Sequence, residues 1–68
     1  SISSLYNLEL LPGVNEMPFA PKRFLSKGES ILSIAETTKS VYTESIPAPG
    51  KFNWGWVRKS DLNIEQPQ

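Results

Sequence analysis

The chain has 68 residues, no cysteine and no histidine, and seven basic residues against seven acidic ones. A single domain of this length buries only about 60% of the surface its unfolded chain exposes, so its core must be compact, without a disulfide staple and without the ordinary zinc sites. Balanced charge removes the net attraction expected of a dedicated nucleic-acid or membrane-surface binder, and no apolar run approaches the roughly 20 residues that span a bilayer.

The chain opens on neither Met nor a signal-peptide pattern, which suggests a processed product or a piece of a longer protein. Prolines at 12, 18, 21, 47, 49 and 67 leave residues 22–46 as the one window open to a helix. There Ile31, Leu32, Ile34, Val41 and Tyr42 keep no 3.6-residue stripe, and Thr37, Thr38 and Thr43 favour strand or turn. The predicted elements are therefore short strands and turns. The first is a strand over residues 4–10, with Tyr6, Leu8 and Leu10 as the inward set. Leu11-Pro12-Gly13 turns the chain, Pro presetting φ and Gly accepting a positive one. Residues 14–21 form an irregular loop in which Met17 and Phe19 are available for packing.

A short strand over residues 22–25 and a Lys27-Gly28 turn lead to a strand over residues 30–36. Its sequence supports two registers, and pairing Leu32 with Ile34 is the favoured inward set over Ile31 with Ala35. Thr37-Thr38-Lys39 is a turn, residues 40–46 a strand, and Pro47-Ala48-Pro49-Gly50 a rigid connection into residues 50–62. That last stretch puts Phe52, Trp54 and Trp56 at alternating positions, hence on one face of a strand. By alternation alone Phe52 and Trp54 suit core or surface. Residues 1–4 and 65–68 read as frayed ends of one domain spanning residues 1–68. Five short strands at about ten-residue spacing imply an all-β fold, a small antiparallel barrel or sandwich.

The order of signals resembles the bacterial SH3-like (SH3b, SH3 type 3) domains. The matching segments are Asn7-Leu8-Glu9, Leu11-Pro12-Gly13, Phe24-Leu25-Ser26-Lys27-Gly28, residues 30–35, and Gly55-Trp56-Val57 with Asp61-Leu62, together covering most of residues 5–64. The resemblance implies an SH3-like barrel of about five strands in which Val57 faces the core and Trp56 the ligand surface, with Trp54 and Phe52 following Trp56. Two departures qualify it. The Trp of the family's N-G-W-x-x-V segment is absent, Tyr42 being the nearest substitute, and Arg58 and Asp61 stand where polyproline-binding SH3 domains carry Pro and Tyr. A carboxylate cannot stack on a polyproline helix, so ordinary PxxP recognition is disfavoured.

Catalysis has little to work with. The usual general base and thiol nucleophile are missing, and the carboxylates are scattered singly, although composition alone leaves Ser–Lys dyads open. Glycines at 13, 28, 50 and 55 lie too far apart for a phosphate loop. The expectation is a non-catalytic binding module without metal or cofactor. It recognises a peptide-like or protein ligand through Tyr6, Tyr42, Trp54 and Trp56, with residues 14–21, Phe19 among them, as one wall. The resemblance implies peptidoglycan peptides as ligand and a cell-envelope or extracellular setting. A structural domain that packs its aromatic face on a neighbouring domain or subunit is the alternative. Nucleic-acid binding through Lys22, Arg23 and Lys27, or through Lys51, Arg58 and Lys59, ranks third, because the net charge is zero.

Overall fold

A computed structural model describes residues 1–16 and 21–64 of the chain. Among the described residues seven strands carry the fold: β1 (Ile2–Ser4), β2 (Leu8–Leu10), β3 (Arg23–Leu25), β4 (Ser30–Glu36), β5 (Ser40–Ala48), β6 (Lys51–Arg58) and β7 (Leu62–Ile64), with a 3-10 turn, Lys59–Asp61, between the last two. The protein is all-β. Strands β6-β5-β4-β1-β7 form an antiparallel sheet in that order, and β2 and β3 form a second, two-stranded sheet. The two sheets meet at Leu11 and Trp56, whose backbones exchange both hydrogen bonds at 3.1 and 2.9 Å.

Both sheets supply the core, which consists of Leu10 and Leu25 from the small sheet with Ile31, Val41, Val57 and Leu62 from the large one. The β5–β6 hairpin sets its sidedness. Its turn is made at Gly50, which takes φ 76°, a conformation that suits a residue without a Cβ. Val41 pairs with Val57, Thr43 with Gly55 and Ser45 with Asn53 on the inner face, while Tyr42 pairs with Trp56 and Glu44 with Trp54 on the outer. Inner-face Thr43 and Ser45 are polar and buried. Thr43 donates to the Gly55 carbonyl at 3.2 Å and Ser45 to the Glu29 carboxylate at 2.7 Å, so neither is left unpaired where that would be costly.

The structure departs from the sequence expectations in three places. The strand expected over residues 4–10 is broken at 5–7. There the Asn7 side chain accepts from the Lys27 amide at 2.7 Å, the Ser4 hydroxyl donates to the Tyr6 carbonyl at 2.5 Å, and the Leu5 amide donates to Asp61 at 2.9 Å. These bonds replace a continuous ladder, and Tyr6 turns outward, 57% exposed, instead of joining Leu10 in the core. In β4 the favoured register is reversed: Ile31 is 6% exposed, and Leu32 and Ile34 are 65% and 54% exposed. Ile31 faces inward because it pairs with Ile2 of β1, whereas Leu32 falls opposite outward-facing Glu44, and a register shift between Ser33 and Ala35 ends the regular alternation. Finally, residues 1–4 are not a frayed end. β1 lies between β4 and β7, and with β7 it raises the strand count from five to seven. β3, β4 and the turn after β4 fall where expected, and β5 runs two residues further, to Ala48. Residues 65–68, the other expected frayed end, lie outside the described residues.

Candidate functional site

Phe52, Trp54 and Trp56 share the outer face of β6 because Gly55 and Val57 occupy the inner one. Across the hairpin, the Tyr42 and Trp56 rings meet edge to face, 5.3 Å between centroids at 70°, the arrangement that sets a positive ring edge against a negative face. The site is therefore a row of rings along β5 and β6. Trp56 also lies over the Pro12-Gly13 turn, where a Cβ on Gly13 would stand 3.8 Å from the indole nitrogen.

Trp54 is held by two residues of opposite charge. The Arg23 guanidinium lies 4.2 Å from its ring centroid, and Arg23 Nε donates to the Trp54 carbonyl at 2.9 Å. The indole N–H donates to Glu16 Oε1 at 2.9 Å, the same oxygen receives a hydrogen bond from Arg23, and Glu16 Oε2 accepts from the Gly13 amide at 2.8 Å. A single carboxylate thus ties the 13–16 turn to the aromatic face. A cation over an indole is attractive in its own right, and here the guanidinium is also oriented by two acceptors.

These bonds hold the Glu16 carboxyl below the usual carboxylate range. The Trp54 indole N–H lowers it most, the Gly13 amide next, and Arg23 last. The sign follows from linkage: a group whose folded pKa is depressed stabilises the fold above its unfolded pKa, about 4.3 for glutamate. That contribution is lost as pH falls through the lower, folded value. Glu16→Gln is accordingly expected to lower stability at pH 7 and to cost progressively less as the pH is lowered below the unfolded value, measured by urea unfolding across an acid pH series.

Of the expected site residues, Tyr42, Trp54 and Trp56 are brought together. Tyr6 stands in the bend at 5–7 and makes no ring contact with them, and Phe19 lies outside the described residues. Glu16 and Arg23 are the participants the sequence does not announce: there Glu16 is one of the singly scattered carboxylates and Arg23 part of a basic cluster. Their partnership with Trp54 spans 38 and 31 positions, so no local pattern announces it.

Of the basic residues grouped in the sequence, Arg58 and Lys59 line one groove, whereas Lys51 does not. Lys22 approaches Glu9 at 3.9 Å and Arg23 is paired with Glu16, while Lys51 and Arg58 sit at opposite ends of β6. A pocket of about 140 Å³ is lined by Leu8, Glu9, Leu11, Trp56, Arg58 and Asp61, so one ring, Trp56, is set among two carboxylates where a polyproline groove needs further rings. Among the described residues no cluster of His, Cys, Asp and Glu could hold a metal ion, and no helix is long and apolar enough to cross a membrane. Compared with protein-family models, curated proteins and solved structures, the chain has no significant match in any of the three.

Proposed function

We propose that the domain is a non-catalytic docking module that takes a peptide-like ligand on the outer face of β5 and β6, through Tyr42, Trp54 and Trp56. The observation that carries this reading is the contiguous row of partly exposed rings whose positions are fixed before any ligand arrives: Trp56 by Tyr42 and the Leu11 bridge, Trp54 by Arg23 and Glu16. Preorganised aromatic surface loses little conformational freedom on binding, which is why rings dominate contact sites. The resemblance to SH3b domains supports peptidoglycan peptides as the ligand and the cell envelope as the setting. Trp56→Ala is expected to weaken capture of the domain by purified cell walls at least about tenfold, the loss of one central aromatic anchor, with the circular dichroism spectrum unchanged. Equal capture of the variant and the parent would remove the aromatic row from the reading.

A second reading has its own observation. Leu32, Ile46 and Phe52 are exposed around an apolar groove of about 430 Å³ on the same β4–β6 sheet. Apolar surface of this kind marks contact with another protein, so a neighbouring domain or subunit of one assembly would cover it. Self-association in sedimentation, relieved by Phe52→Ser, together with indifference to cell walls, favours this reading over the first.

A further inference from the structure

The aromatic row does not end at Trp56. Two positions further along the same faces, Arg58 follows Trp56 on β6 and Ser40 follows Tyr42 on β5, and these two residues pair across the hairpin. They open into a polar groove of about 660 Å³ lined by Thr38, Lys39, Ser40, Arg58, Lys59 and Ser60. The groove carries three cations, and its framework is fixed. The Thr37 amide donates to the Ser40 carbonyl at 2.9 Å, the Ser40 amide to the Thr37 hydroxyl at 3.1 Å, and the Lys59 amide to the Lys39 carbonyl at 2.8 Å. The turn before β5 and the turn after β6 are thereby locked together.

The three cations are not equivalent. Lys59 is held by Glu36 at 3.0 Å, whereas Lys39 and Arg58 are exposed and take part in none of the ion pairs among the described residues. In a chain of zero net charge, two cations without an ion pair among the described residues, lining one hydroxyl-bearing groove, form a local positive site. We infer that this groove binds the carboxylates of an acidic peptide whose apolar side chain rests on Trp56 and Tyr42, an assignment that rests on the peptide-docking reading and extends it. Arg58 supplies a fork that matches a carboxylate in a two-point contact, and Lys39 a mobile point charge. Two cations that pair with no carboxylate among the described residues suit one or two carboxylates of a ligand. A nucleic-acid backbone is engaged through many phosphates at once, which this groove cannot neutralise.

The test uses the whole chain, labelled with ¹⁵N, at low ionic strength, with two capped peptides as probes: acetyl-Leu-Glu-Glu-amide and acetyl-Leu-Gln-Gln-amide. The amides of residues 38–40 and 58–60 are expected to shift saturably with the first peptide. Binding is expected to weaken at least about tenfold with the second, which lacks both carboxylates, and about tenfold or more in Lys39→Gln or Arg58→Gln, which lose charge-assisted hydrogen bonds, and to be unaffected by Lys22→Gln. Equal binding of the two peptides overturns the inference, as does tighter saturation of the same amides by inorganic phosphate or single-stranded DNA. The two layers of the reading separate in the variants. Loss in Trp56→Ala without loss in Arg58→Gln removes the groove and keeps the aromatic site, and the reverse result removes the aromatic site and keeps the groove.

Discussion

Gly55→Ala is expected to lower the unfolding free energy by about 3 kcal/mol, the sum of overpacking and backbone strain at one position. An alanine Cβ there would stand 2.8 Å from the Leu10 Cβ and 2.9 Å from the Leu11 carbonyl oxygen, and the residue has φ 153°, which side chains rarely adopt. Neither obstacle is the free end of a flexible side chain. Leu10 is buried in the core and Leu11 is bonded to Trp56, so relief would require the small sheet to move off β6. That movement would break the Leu11–Trp56 bridge and shift the Pro12-Gly13 turn under the Trp56 ring. Urea unfolding should therefore show the loss of stability. Amide shifts at Leu11 and Trp56 in the remaining folded fraction should show that the junction between the sheets is the place affected.

Leu25→Ala is expected to cost a similar amount, about 3 kcal/mol, through the cavity it leaves. Leu25 is 1% exposed and, with Leu10, is one of the two side chains by which the small sheet holds the core. A single core in a domain of this size rarely supplies more than about 3–5 kcal/mol, so either substitution should leave much of the protein unfolded near 37 °C. Leu32→Ala is the contrasting measurement. Leu32 is as large and as apolar as Leu25 but lies on the outer face, and removing it should change stability by no more than about 0.5 kcal/mol. A large cost at Leu32 and a small one at Leu25 would reverse the assignment of inside and outside in the protein.

Much of the fold was legible because its signals are local. The alternation of Phe52, Trp54 and Trp56 against Val57 gives β6 its two faces, with Val57 3% exposed, whereas the expected rigid connection at 47–50 is a hairpin turn at Gly50 with Pro47 and Ala48 inside β5. What was not legible depends on partners distant in the chain. Alternation cannot decide between Ile31 and Leu32, since both are branched aliphatic residues and the choice is made by Ile2, 29 positions away. The inner face of β5 reads as polar, Thr43 and Ser45, and becomes an interior only because the Gly55 carbonyl and Glu29 satisfy its hydroxyls. Ser4 and Asn7 look like ordinary strand and turn residues, yet their side chains break the first predicted strand in two. The site was half visible for the same reason: the rings lie on one hairpin, whereas Glu16 and Arg23 arrive from another part of the chain and Lys39 joins Arg58 only once β5 and β6 have paired.

Both tryptophans of the chain, Trp54 and Trp56, lie on the proposed ligand face, so tryptophan fluorescence reports on that face alone. Titrating the domain with soluble peptidoglycan stem peptides and following the emission maximum is the most direct measurement. A saturable blue shift that is lost in Trp56→Ala and kept in Phe24→Ala is the expected result. An emission maximum that does not move while the same peptides shift amides elsewhere on the domain would contradict it.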